Sequence, residues 1–487
     1  MGSSRYSDTL PTWYRLRRRS SSREDRSTET SESRPRADTS TVPRAADRSR
    51  ALVLDIAIVT GVSLTLGLIR LGAPSVWIDE SFTARATDRS FTTLVERQVH
   101  ALYYVLLKAW AAIAGDSEWA LRFPSVLAAA VACALLVVLG NKILDRRTAL
   151  IAGLLLASNA FFVQWSQQAR SYSALVALSL VATLVLLRAL ELNTRAAWSW
   201  YGAAFTVVVV WHPLASLLLV PGQVAIMASR RRRILPHGLL AAVIVGLFAV
   251  PWAAILAMRT TGENYALNWL HGPTPRDIGR TIVEVSGALG IGAALAFLGL
   301  VVLSRSGKKD ISAWLGVWAL APLFLALAAS AVKPVFLDRY LIVVSPAFAL
   351  LAAAALIALT RRLQAMTSFV VVCATVVGLL YWYSLGYGGN WRGEDWRAAT
   401  SWVDEHRAEA DAVVVVPWWA WPAPRYYGAR VTDVSTADAI WVLRWSETGD
   451  RIPANVRQPL GFGDHVVVET HDFGTRVSAQ LWVRPKG

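Results

Sequence analysis

From Ala51 to about Leu385 the chain passes through one long apolar run after another, and its charges fall almost wholly between them. A run of ~20 such residues is the length a helix needs to cross a bilayer. In lipid each backbone N–H and C=O must be satisfied within the structure, which leaves helices or a closed barrel. Unbroken apolarity, rather than alternation, selects helices. The chain is 54% hydrophobic and only 17% charged, against about a quarter charged in soluble domains. The expected fold class is an all-α polytopic membrane protein.

Spanning segments are expected at about 51–71, 120–140, 148–163, 171–190, 196–211, 213–229, 237–258, 281–303, 312–332, 339–360 and 366–385. A shorter apolar segment, 101–114, carries Lys108 in its middle. With that segment lying in the interface, the basic clusters Lys142/Arg146/Arg147, Arg188/Arg195, Arg230–Arg233, Arg305/Lys308/Lys309 and Arg361/Arg362 all fall on one side. That side is the cytoplasm. Eleven spans are therefore expected, with a cytoplasmic N-terminus and 101–114 as an interfacial or re-entrant helix. The net charge of +15 follows from this topology, so no nucleic acid is expected as a partner. Asp55, Arg188 and Glu284 sit near span ends, within reach of head groups.

The flanks differ in character. Residues 1–50 hold 12 Arg and seven acidic residues with almost no aliphatic content, and a disordered cytoplasmic tail is expected. The first apolar run is long enough to span, so no cleaved signal peptide is expected. Residues 51–385 form the transmembrane domain. In residues 386–487 polarity returns and apolar runs shrink to strand length. Glu394–Arg407 reads as an amphipathic helix, and Ala412–Val416, Ile440–Trp445, His465–Glu469 and Gln480–Val483 read as strands. A small extracytoplasmic α/β domain is expected. Cys133 and Cys373 both lie in apolar runs, with no metal spacing and no expected disulfide.

The polar residues that topology leaves unexplained gather at the outer ends of spans. The outer loop 72–119 opens with Ser75-Val76-Trp77-Ile78-Asp79-Glu80-Ser81, an acidic pair placed where the chain leaves the membrane. A half-sheltered carboxylate there suits a general base acting on a membrane-borne substrate, although an isolated acidic pair is more often plain surface. Further along come His100-Ala101-Leu102-Tyr103-Tyr104, Ala120-Leu121-Arg122-Phe123-Pro124-Ser125, Trp165-Ser166-Gln167-Gln168-Ala169-Arg170-Ser171-Tyr172 and Lys333-Pro334-Val335-Phe336-Leu337-Asp338-Arg339-Tyr340. Each has a bland reading: Arg170 and Arg122 as head-group anchors, Tyr103, Tyr104 and Tyr340 as belt or packing aromatics, His212 before Pro213 as a turn residue.

Taken in order, these five elements resemble the GT-C glycosyltransferases, in the family-39-like branch that holds protein O-mannosyltransferases and aminoarabinose transferases. The resemblance covers roughly 51–360. It departs at Ala101-Leu102, where the family has Pro-Pro, at Gln168, where it often has Glu, and at Asp338, where Pro is common. It implies a polyprenyl-phosphate sugar as donor, with mannose first and arabinofuranose or another pentose as the alternative. Asp79 is then the base, with Glu80 positioning it or binding acceptor. Arg170, His100 and Arg339 would hold the donor phosphate, and Tyr103, Tyr104, Trp165, Gln167 and His212 are candidates for acceptor or sugar contacts. The leaving phosphate needs positive charge rather than a proton. One base without a covalent nucleophile implies inversion. No resident cofactor is expected, and a divalent cation bridging Asp79/Glu80 to phosphate is left open. High Ala and Arg content and the tail resemble actinobacterial members, with an envelope glycan, lipoglycan or protein as acceptor. A lipid-linked sugar transporter or flippase is the competing class; it would need ionisable residues at mid-membrane. A non-catalytic scaffold is a third.

Overall fold

A computed structural model describes residues 45–97, 100–228, 237–248, 251, 270–386, 393–430, 437, 439–446 and 465–485. The expected tail 1–50 lies almost wholly outside them, as do Arg230–Arg233. In chain order the helices are α1 (Ala45–Leu68), α2 (Ile78–Thr87), α3 (Phe91–Arg97), α4 (Ala101–Ala114), α5 (Glu118–Ile143), α6 (Arg146–Ala157), α7 (Ala160–Ser166), α8 (Tyr172–Leu192), α9 (Arg195–Trp211) and α10 (Pro213–Ala228). They continue with α11 (His237–Phe248), α12 (Pro275–Ser286), α13 (Ile291–Arg305), α14 (Lys309–Val332), α15 (Ser345–Ala358), α16 (Arg361–Tyr381), α17 (Trp396–His406) and α18 (Pro422–Tyr426).

Seven described helices are long and apolar enough to cross a membrane, or eight if the bent pair α6–α7 is one span. Eleven were expected. The other three expected spans, 196–211, 213–229 and 237–258, are the shorter helices α9, α10 and α11 among the described residues. Pro213 has no N–H to continue α9, so the chain breaks at His212. The expected span 281–303 also divides: α12 stops at Ser286, Gly287 takes a positive φ, and the apolar helix begins at Ala288. The α6–α7 bend of 62° is set by Asn159, whose side chain accepts from the N–H groups of Phe161 and Phe162 and so starts a new helix.

Two close approaches fix the packing. A Cβ on Gly299 of α13 would stand 2.0 Å from the Leu351 carbonyl oxygen of α15, so these helices touch backbone to backbone, as small residues permit in membranes. Asp55 of α1 is buried and takes a bidentate contact from Arg146, at 2.5 and 2.9 Å. It is thus tied within the bundle rather than to head groups.

The C-terminal part is a four-stranded sheet of order β1-β2-β4-β3, with β1 (Ala412–Val416), β2 (Ala439–Trp445), β3 (Val466–Asp472) and β4 (Val477–Val483). The expected helix and all four expected strands are present. β1 pairs parallel to β2 with Ala412 opposite Ile440, and the other pairs are antiparallel. The parallel pair requires a crossover, and that crossover holds α18. Gly393, at φ 74°, admits the close passage of Thr475, whose Oγ1 would lie 2.0 Å from any Cβ there.

Candidate active site

Asp79 and Glu80 occupy the first turn of α2. Neighbours on a helix point to different faces, and the acidic pair is split accordingly. Glu80 turns inward and is 1% exposed. Both its oxygens meet Arg122, at 2.9 Å from Nε and 2.7 Å from Nη2, and Oε1 also accepts the Ala169 N–H at 2.8 Å. Arg122 is itself buried and donates further to the carbonyls of Leu71, Pro74 and Ser75. One guanidinium therefore binds the loop entering α2, the helix itself and, through Glu80, the turn before α8.

Asp79 faces the other way, with a side chain 26% exposed. Its Oδ2 lies 3.6 Å from Nη2 of Arg170 and 3.6 Å from Nη2 of Arg339. Arg170 also donates from Nη1 to the Asp79 carbonyl at 3.1 Å and to Thr83 Oγ1 at 3.3 Å. Two largely buried guanidiniums thus converge on one partly open carboxylate, from elements more than 160 residues apart in the chain. The cluster carries a surplus of one positive charge.

Behind the guanidiniums stands a group of rings. Tyr172 lies 5.8 Å from the Arg170 Cζ and 5.7 Å from His212, and Tyr340 lies 4.9 Å from His212. His100 and His212 are 4.4 Å apart between ring centroids. His100 donates from Nδ1 to the Trp211 carbonyl at 3.3 Å, since a carbonyl only accepts. Burial first, then Arg170, pushes its pKa down to about 4. A neutral ring whose only N–H is spent on the backbone is poorly suited to a phosphate oxygen.

The other predicted residues fall into structural positions. Gln167 donates to the carbonyls of Leu66, Gly67 and Ile69 at the end of α1 and accepts from Trp382 Nε1, so it closes a helix end. Trp165 is fully buried, edge-on to Tyr172 at 4.7 Å. Tyr103 and Tyr104 are buried against each other, and Tyr103 packs on Trp211. A divalent cation does not fit the acidic pair, because Glu80 is spent on Arg122 and Asp79 faces two cations. Among the described residues no three His, Cys, Asp or Glu side chains converge as ligands.

Sequence reasoning missed how the tail holds the site. Trp77, the N-cap of α2, gives it no side-chain cap; the Ile78 N–H is taken instead by Glu394 Oε2 at 2.9 Å. A carboxylate at a helix N-terminus also suits the helix dipole. Tyr427 hydroxyl accepts from the Val76 N–H at 2.7 Å and donates to Glu118 at 2.9 Å. Arg397 also pairs with Glu118 and donates to the Gly72 and Ala73 carbonyls. Trp421 lies under Arg425 and near Arg85 of α2. No local pattern marks a cap that comes from more than 300 residues away.

Comparison with known proteins agrees with this architecture. Residues 101–255 match a family model described as dolichyl-phosphate-mannose-protein mannosyltransferase; the match includes Arg122, Arg170 and His212 but neither Asp79 nor Arg339. A search of curated protein sequences finds no match. Among solved structures, ArnT from Cupriavidus metallidurans bound to undecaprenyl phosphate has TM-score 0.58 at 15% identity, over 88% of this chain and 98% of that one. Its apo state gives 0.57 at 16%, over 89% and 98%. AglB from Archaeoglobus fulgidus, in complex with an inhibitory peptide and a dolichol-phosphate, gives 0.52 at 12%, over 81% and 70%. These likenesses establish a GT-C-type, ArnT-like membrane fold.

Proposed function

We propose that the chain is a glycosyltransferase that moves a sugar, mannose first and a pentose as the alternative, from a polyprenyl-phosphate donor to an envelope glycan, lipoglycan or protein. The site and the C-terminal domain face the outside of the cell membrane, and the N-terminus is cytoplasmic. The observation that carries this reading is the convergence of Arg170 and Arg339 on Asp79, in a fold shared with an ArnT structure that binds undecaprenyl phosphate.

The surplus charge gives a donor phosphate its place. As it binds, it competes with Asp79 for the two guanidiniums and frees the carboxylate to face the acceptor hydroxyl. The bond from the anomeric carbon to the phosphate oxygen then breaks, and its electron pair stays on the phosphate, held by Arg170 and Arg339. The acceptor oxygen bonds to the opposite face of that carbon while Asp79 takes its proton. A β-linked donor gives an α-glycoside. Glu80 acts through Arg122 as a positioning residue.

The test uses membranes containing the protein, supplied with radiolabelled polyprenyl-phosphate mannose or arabinose. Transfer of label from the polyprenyl carrier to a glycan, lipoglycan or protein product, lost in Asp79→Ala, supports the reading. Equal transfer by wild type and Asp79→Ala removes the base assignment. Label movement across liposomes without transfer would favour a flippase.

A further inference from the structure

Two imidazoles behind the phosphate-binding pair have no use in the reaction as described. His212 is fully buried, and its Nδ1 accepts the Ala215 N–H at 3.2 Å. A backbone N–H only donates, so the proton of neutral His212 is on Nε2. That Nε2 is buried and has no hydrogen-bond partner among the described residues. His100 has the opposite tautomer: Nδ1 holds the proton and gives it to the Trp211 carbonyl, which leaves Nε2 a bare acceptor. The rings are 4.4 Å apart and tilted by 41°. Two rings thus stand side by side, one carrying an N–H donor and the other an acceptor nitrogen, with Tyr172 between His212 and Arg170.

We propose that His212 Nε2–H and His100 Nε2 together read a hydroxyl of the donor sugar, the first giving a hydrogen bond and the second receiving one. A hydroxyl is the group that satisfies both at once, because it donates and accepts. Burial above all holds both rings neutral: with Arg170 next in effect it takes His100 down to about 4, and with His100 and then Arg170 next it takes His212 well below its ordinary value. The tautomers are therefore locked at neutral pH, and neither ring adds charge to the phosphate site. The Tyr103 hydroxyl, also buried and unpartnered among the described residues, belongs to a ring that packs on Trp211, the residue before His212. A buried donor left unmet destabilises the fold, and a ligand hydroxyl relieves that cost. The inference rests on the donor reading above and assigns specificity within it.

The experiment compares detergent-solubilised wild type, His212→Phe and His100→Phe for binding of three probes: polyprenyl phosphate alone, polyprenyl-phosphate mannose and polyprenyl-phosphate arabinose. Wild type is expected to bind one glycosylated lipid more tightly than the bare one. Each variant should lose about tenfold or more for that lipid while binding bare polyprenyl phosphate as wild type does, which also certifies the fold. Equal losses for both lipids, or none, overturn the proposal, as does a wild type that prefers neither sugar. Should a variant fail to fold, wild type is tested on single-deoxy forms of the preferred sugar, and equal binding of all of them overturns it. A wild type that binds no polyprenyl phosphate at all instead overturns the donor reading.

Discussion

Arg122→Met is the substitution that most sharply separates scaffold from chemistry in the acidic pair. The guanidinium has five N–H groups, and five acceptors take them: two Glu80 oxygens and the carbonyls of Leu71, Pro74 and Ser75. Arg122 is 2% exposed and Glu80 1%, so surface screening does not soften the loss. Methionine fills much of the volume but leaves a buried carboxylate with only the Ala169 N–H. Breaking a buried pair in this way costs about 3–5 kcal/mol, which lowers the folded-to-unfolded ratio between about a hundredfold and a few thousandfold. Glu80→Gln keeps the shape and one acceptor and should cost about 1–3 kcal/mol. The assay is thermal loss of monodisperse protein in detergent, run beside sugar transfer. Arg122→Met should melt far below wild type, and Glu80→Gln modestly below it, with transfer that follows the folded fraction. An Arg122→Met protein as stable as wild type would refute the reasoning. A Glu80→Gln protein with wild-type melting and no transfer would show that Glu80 takes part in the reaction.

Gly299→Ala drives a methyl into the Leu351 carbonyl and should destabilise by about 1–3 kcal/mol, read as a lower melting temperature; an unchanged one would deny the backbone contact of α13 with α15. Tyr427→Phe strands the buried Val76 N–H and should cost about 1–3 kcal/mol, seen as faster proteolysis between the membrane part and the sheet. Glu394 has its pKa raised above the ordinary 4.5, chiefly by burial. The native state therefore holds a proton longer than the unfolded chain does, and this group's contribution falls as pH climbs from about 4.5 through the raised value. Protease resistance of the tail should decline over that interval in wild type and less so in Glu394→Gln; parallel profiles would count against it.

Much of the fold was legible because it depends on local pattern. Apolar runs located the helices of the bundle, and the strands of the tail followed from short β-branched runs such as Ala412–Val416. Misreadings arose where one residue overrides a pattern: Asn159 starts a new helix inside an apolar run, and Gly287 ends α12 inside another. The site was readable as a set of residue types, and the structure brings Asp79, Arg170 and Arg339 together. Their division of labour was not readable. Adjacent letters give no sign that Asp79 faces the opening and Glu80 faces Arg122, because that depends on helix phase and on a partner 42 residues away. The family resemblance made Gln167 a candidate for acceptor or sugar contact, yet its amide is engaged by the end of α1 and by Trp382. The imidazole tautomers depend on a carbonyl and an N–H placed by the break at Pro213, and no sequence pattern records those.

The most direct test of the account compares the envelope glycans of a strain lacking this protein after complementation with wild type, Asp79→Ala or Arg170→Ala. The account predicts that a defined sugar disappears without the protein and that wild type alone restores it. Restoration by all three would contradict a transferase site at Asp79 and Arg170, leaving transport or scaffolding as the better explanation of the same fold.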